Sequence, residues 1–266
     1  MRHVSRTLSL LGRPQLWVGI LAFCALLIGL QQISPKVPYA PLVDLPSGTP
    51  HVVQQFASPQ PRPPIPPVDC SHQACLALTF DDGPNPVTTP QVLDVLARHH
   101  ARATFFVIGS HVPGNEALLR RMYHDGHEIG NHSWSHPDFT TLSPEQIRQQ
   151  ISQTQAVVVA AGVPAPTLFR PPYGAVNAVV KSQVPMTFAM WNIDPEDWRA
   201  KHPKDVLAKM EPSIRPGRVV DLHDIHQPTA DSLDQMVTNL QQQYQLVTFS
   251  ELFDLTSGQP GLFYGR

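Results

Sequence analysis

Between Cys75 and Phe249, seven segments of strand length and pattern alternate with stretches of helical periodicity. The runs are Cys75 to Phe80, Ala103 to Ile108, His127 to Asn131, Thr167 to Arg170, Met186 to Ile193, Arg218 to His223 and Leu246 to Phe249. Helical patterns fall at 90–98, at 115–123, near 176–182 and 203–210, and at 229–242, where Leu233, Met236, Val237 and Leu240 form an apolar stripe. Another helix opens at Ser143-Pro144-Glu145-Gln146, which combines an N-cap, a proline at N1 and a capping-box glutamine; Ile147, Ile151 and Val158 share its face. Strands separated by helices line up in parallel rather than as hairpins. The pattern predicts an α/β domain on a parallel sheet, with Leu246 to Phe249 as its closing strand.

The residues before Cys75 follow other rules. Leu16 to Leu30 is an uncharged apolar run preceded by Arg2, Arg6 and Arg13. It is short for a span of about 20 residues, though flanking apolar residues extend it. The basic flank keeps the N-terminus cytoplasmic and exports the rest. No A-x-A-like site follows, so the run is read as a retained signal anchor, with a cleaved signal peptide as the alternative. Eleven of the 29 prolines fall between Pro35 and Pro67, a composition that favours an extended polyproline linker over a packed one. In an exported chain, Cys70 and Cys75 are expected to form a disulfide at the entry to the first strand. A net charge of −2 leaves no basic face for nucleic acid.

Ionisable residues gather where the strands end. Asp81 and Asp82 follow the first run, His132 and His136 the third, Arg170 ends the fourth, Asp194 and Asp197 follow the fifth, and His223 ends the sixth. In a (β/α) barrel these ends converge on one face, where active sites lie; an open doubly wound sheet would spread them along an edge. His132-Ser-Trp-Ser-His136 places two imidazoles four residues apart, able to reach one ion from a helix or tight turn. One carboxylate of the Asp81-Asp82 pair completes a two-histidine, one-carboxylate set, which suits hydrolytic zinc and also non-haem iron. Adjacent aspartates cannot easily aim alike, so one is free for proton transfer. His223 suits proton transfer in either direction, and Arg170 can hold a carboxylate. His99, His100, His111, His124 and His127 lack a partner at ligand spacing.

Five segments resemble the five motifs of the polysaccharide deacetylase family, also called carbohydrate esterase family 4 or the NodB homology domain. They are Thr79-Phe-Asp-Asp-Gly-Pro84, His132-Ser-Trp-Ser-His136, Arg170-Pro-Pro-Tyr-Gly174, Asp194-Pro-Glu-Asp-Trp198 and Asp221-Leu-His223. The resemblance runs over roughly residues 73–256 and implies a distorted (β/α)7-8 barrel that removes acetyl groups from carbohydrate polymers. It implies Asp81 as general base, oriented by Arg170, and Asp82, His132 and His136 as ligands of a divalent metal, usually zinc. The backbone N–H of Tyr173 would stabilise the oxyanion, Asp197 would pair with His223, His223 would protonate the leaving amine, and Trp198 would wall the acetyl pocket. The implied organisation is an anchor at 1–33, a linker at 34–67, a catalytic domain at 68–258 and a tail at 259–266.

One position departs from the pattern. The fifth motif normally begins with leucine, which lines the methyl pocket, and here that residue is Asp221. It is expected on the same strand face as His223, where an ionised carboxylate favours the imidazolium or turns aside to a partner. The expected activity is hydrolytic deacetylation of an N-acetylated glycan beyond the membrane, with cell-wall peptidoglycan N-acetylglucosamine leading. Chitin oligomers and poly-N-acetylglucosamine are alternative substrates. A non-catalytic glycan-binding module and an iron oxygenase are the competing classes.

Overall fold

The computed structural model describes residues 64, 66, 68–255 and 261–265. The apolar run at 16–30, and the linker apart from residues 64 and 66, lie outside them. Among the described residues no helix is long and apolar enough to cross a membrane.

Eight strands form one parallel sheet: β1 (Cys75–Asp81), β2 (Thr104–Val107), β3 (Glu128–Asn131), β4 (Leu168–Phe169), β5 (Thr187–Ala189), β6 (Val219–His223), β7 (Gln245–Val247) and β8 (Leu262–Phe263). Their order is β6-β1-β2-β3-β4-β5-β8, with β7 off this path, pairing with the start of β1. The helices are α1 (Thr88–Arg98), α2 (Glu116–His124), α3 (Pro144–Ala160), α4 (Ala178–Gln183), α5 (Pro203–Met210), α6 (Gln227–Gln241) and α7 (Phe249–Phe253). The box at Ser143 forms as the sequence predicts, with Ser143 Oγ accepting from the Gln146 N–H and Gln146 Oε1 accepting from the Ser143 N–H.

The seven residues of β1 are all buried because both faces are covered. Leu76, Leu78 and Phe80 point outward into the main core, which they share with Leu93 and Leu96 of α1 and Leu233, Met236 and Val237 of α6. Each such fully buried side chain contributes roughly 1.5–3 kcal/mol. Thr79 and Asp81 point the other way, into the concave interior, by the two-residue period. The β1–β6 register sets Thr79 opposite Asp221 and Asp81 opposite His223.

The structure is an α/β half-barrel of parallel strands, in keeping with the distorted (β/α)7-8 barrel that the resemblance implies. The run 186–193 holds a strand only from Thr187 to Ala189. Beyond it the chain leaves the ladder, and the seam to β6 is crossed by a single bridge, Ile193 to Val220. Nor does Leu246 to Phe249 close the sheet. Gln245–Val247 pairs with the start of β1, and Thr248 caps a short helix, so Phe249 is helical. An eighth strand, absent from the expected set, adds outside β5.

Close packing fixes one glycine. A Cβ on Gly130 of β3 would lie 2.3 Å from the Phe106 ring, and that ring stacks under the Arg170 guanidinium, 4.1 Å from its centroid. Gly130→Ala is therefore expected to cost about 1–3 kcal/mol by overpacking. Equilibrium denaturation checks this, and an unchanged midpoint would contradict it.

Candidate active site

Residues from five separate segments meet at the C-terminal ends of the strands, around a cavity of about 450 Å³. Asp81, Asp82, His132, His136, Tyr173, Trp198, Asp221 and His223 all line it, as do Trp191 and Asp194. Arg170 and Asp197 are buried behind this wall, at 0% and 1% exposure.

Asp82, His132 and His136 each offer a ligand atom, and the three atoms lie within 4.8 Å of one another. The Nε2 atoms of both histidines sit 3.4 Å from Asp82 Oδ1. Ligands about 2.0–2.1 Å from a tetrahedral ion stand roughly 3.4 Å apart, so this spacing matches a shared cation. Asp82 Oδ1 is buried and has no hydrogen-bond partner, an expensive arrangement unless a cation meets it. His132 Nδ1 lies 2.7 Å from the Arg170 carbonyl oxygen. That oxygen can only accept, so Nδ1 carries the proton and Nε2 presents its lone pair. Two turns aim the set: Asp82, Ser133 and His136 all have positive φ. The histidine pair is thus held by a tight turn rather than a helix. Burial opposes charge on Asp82, but His132, His223 and His136 bring its carboxyl down to about 2. The residues present fit a divalent metal.

Asp81 Oδ2 lies 3.5 Å from His132 Nε2, but its other oxygen faces a different partner. Its Oδ1 accepts from Arg170 Nη1 at 2.8 Å. The same nitrogen donates to Thr79 Oγ1 at 2.8 Å and to Asp221 Oδ1 at 2.7 Å. Arg170 Nε donates to the Ala189 carbonyl, and the guanidinium lies between Phe106 and Trp191. Arg170 is thereby locked in place. Asp221 does share the His223 face, and its partner is this arginine. Burial and the Asp81 carboxylate push Asp221 well above the ordinary carboxylate range, while Arg170 and His223 oppose them.

On the other side of the cavity, His223 Nδ1 donates to Asp197 Oδ1 at 2.8 Å. Asp197 Oδ2 accepts from the His223 backbone N–H at 2.8 Å and from Thr229 Oγ1 at 2.6 Å. Burial disfavours the imidazolium, but the Asp197 hydrogen bond and charge, helped by Asp221 and Asp81, push His223 up to about 10. A raised folded-state pKa stabilises the fold fully below the unfolded value of about 6.5, and that contribution is lost as pH climbs toward the folded one. Asp197→Asn removes the nearest charge and is expected to lower the pKa of His223. An NMR titration of the imidazole checks this, and an unmoved titration would refute it.

Tyr173 sits at φ 59° and ψ 10°, in a short turn after β4. Among the described residues its N–H donates to no acceptor, so it remains available beside the metal ligands. The Tyr173 and Trp198 rings are largely exposed at the cavity mouth. Cys70 and Cys75 form the expected disulfide, with Cα atoms 5.5 Å apart.

Thr79, Phe106 and Trp191 were not singled out from the sequence. Thr79 carries a readable signal, since it lies two residues before Asp81 on the same strand face. Trp191 carries a weaker one, since it continues the alternation of Ala189 beyond the end of β5.

A parallel half-barrel with a two-histidine, one-aspartate centre and separate buried carboxylate–arginine and carboxylate–histidine pairs defines a class of metal-dependent hydrolase folds. The chain belongs to the polysaccharide deacetylase family, which residues 69–189 match. It is 45% identical over 182 residues to the peptidoglycan-N-acetylmuramic acid deacetylase PdaC of Bacillus subtilis, an alignment covering 68% of this chain and 39% of that protein. The solved structure of PdaC superposes with a TM-score of 0.68, covering 70% of this chain and 93% of that one. The peptidoglycan-N-acetylglucosamine deacetylase PgdA of Listeria monocytogenes is 44% identical over 67% of this chain and 38% of its own length. A chitooligosaccharide deacetylase of Bradyrhizobium is 38% identical over 60% of this chain and 75% of its own. The chain thus spans about two fifths of the length of the two peptidoglycan deacetylases.

Proposed function

We propose that this protein hydrolyses the N-acetyl amide of a carbohydrate polymer, cell-wall peptidoglycan N-acetylglucosamine first, releasing acetate and a free amine. One observation carries the reading: a cavity joins three convergent metal-ligand atoms to two separate proton-handling pairs, Asp81–Arg170 and Asp197–His223.

Asp82, His132 and His136 hold the ion, zinc in this proposal. When bound, the ion supplies Lewis-acid activation. Asp81 takes the proton of the attacking water, and Arg170 fixes the direction of its carboxylate. As the carbonyl oxygen gains negative charge, the Tyr173 N–H donates to it; a donor of this kind is typically worth about 2.7–4 kcal/mol. His223 delivers its proton to the leaving nitrogen as the C–N bond breaks, and Asp197 stabilises the imidazolium until then. Trp198 and Tyr173 offer aromatic faces to sugar rings at the mouth.

The names of the relatives support an N-acetylated glycan, with chitin oligomers as the second substrate class. We place the domain at 68–258 outside the cytoplasmic membrane, tethered through the linker at 34–67 by the anchor at 1–33. The test is acetate release from peptidoglycan and from N-acetylglucosamine oligomers, with zinc supplied and after chelation. Release from either substrate that stops on chelation and returns with zinc is the expected result. Full activity in metal-free protein would overturn the metal's role, and no release from any acetylated glycan would overturn the reading.

A further inference from the structure

We propose that the acyl pocket is built for a hydroxylated acyl group, N-glycolyl (hydroxyacetyl), and that Asp221 is the residue that selects it. This rests on the deacylase reading above and concerns the acyl half of the same substrate.

With Asp81 Oδ2 only 3.5 Å from His132 Nε2, the acyl carbon is held in the cavity beside both, with the leaving nitrogen facing His223. The remaining substituent, the acyl tail, is then directed toward the inner wall. Asp221 forms part of that wall: it lines the cavity and is only 4% exposed. It lies two residues before His223 on the same face of β6, roughly 6.6 Å along the strand. Its Oδ1 is committed to Arg170, whereas Oδ2 makes no hydrogen bond among the described residues.

A methyl group pressed against an unpartnered carboxyl oxygen strips it of water and returns no hydrogen bond. A hydroxyl on the acyl α-carbon donates to that oxygen instead. Both protonation states of Asp221 keep an acceptor for it, so the match does not depend on which one prevails. Trp191 and Asp194 line the same cavity, and Asp221 is the carboxyl group that shares a strand face with His223. The reaction balances as for acetyl: water adds its oxygen to the acyl carbon, the C–N bond breaks, the amine nitrogen gains a proton, and glycolate leaves.

The experiment compares an N-acetylglucosamine oligomer with its fully N-glycolylated counterpart, using the zinc-loaded full chain and reading free amine, a product common to both. Wild type is expected to give a glycolyl-to-acetyl ratio of kcat/KM of one or more. Asp221→Leu is expected to reduce that ratio by about 10-fold or more, the scale of one buried hydrogen bond left unmade. Asp221→Asn, which keeps polar atoms at the position, should retain more of the ratio than the leucine variant. A wild-type ratio below one overturns the proposal without reference to any variant. So does a ratio that Asp221→Leu leaves unchanged while both amides are still cleaved, and in that case the deacylase reading survives. Cleavage of neither amide brings down both.

Discussion

His132→Ala is expected to abolish both metal retention and acetate release. The residue offers one of three convergent ligand atoms, and its orientation is set by the Arg170 carbonyl rather than by solvent. With one imidazole gone, His136 and Asp82 hold an ion through two atoms, too few for a stable site of this type. Metal analysis after gel filtration should show stoichiometric zinc in the wild type and a small residue in the variant. Retained zinc with lost activity would mean that His132 acts on protons rather than on the metal. The fold should persist, because the side chain faces the cavity and contributes nothing to the outer core.

Asp81→Asn is expected to separate binding from chemistry. The amide still accepts from Arg170 Nη1, so the site keeps its shape and its metal. What disappears is the proton acceptor, a loss that typically costs 10²- to 10⁴-fold in rate. The loss should fall on kcat, with KM little changed. If Asp81→Asn instead loses zinc while Asp82→Asn retains it, the roles of the two aspartates are reversed. The geometry argues for the stated order. Asp81 is tied to a buried arginine, whereas Asp82 Oδ1 faces two imidazole nitrogens and has no other partner.

Much of this site was legible in the sequence because it is written one strand end at a time. Asp81, His132, Arg170 and His223 each fall just where an apolar run stops, and a parallel sheet brings such ends to one face. What escaped depends on relations between strands. Asp221 was readable as an odd residue on the His223 face, but its partner lies 51 residues away and becomes visible only when β1, β4 and β6 are set side by side. The same holds for Phe106, whose ring reaches Arg170 only because Gly130 on the adjacent strand leaves it room. The incomplete closure was hidden for another reason. Residues 186–193 are apolar except for Thr187 and Asn192, and such a run reads alike whether all of it pairs or only three residues do. Strand β8 has two residues, too few to show any period.

The seam between β5 and β6 bears on how the protein handles protons. Between Asn192 and Trp198 the chain is fastened to β6 by the Ile193 bridge, by Asn192 Oδ1, which accepts from the Val219 N–H, and by the two hydrogen bonds from His223 to Asp197. The carboxylate that holds His223 is therefore also a rivet in the wall. Chemistry and mechanical closure share one side chain, so a change that weakens the acid also slackens the rim that carries Trp198. Substitutions at Asp197 will for this reason register twice, once in the titration of His223 and once in the amide exchange of the rim. A hydrolase of this shape can have its acidity retuned only by residues that leave the rivet in place.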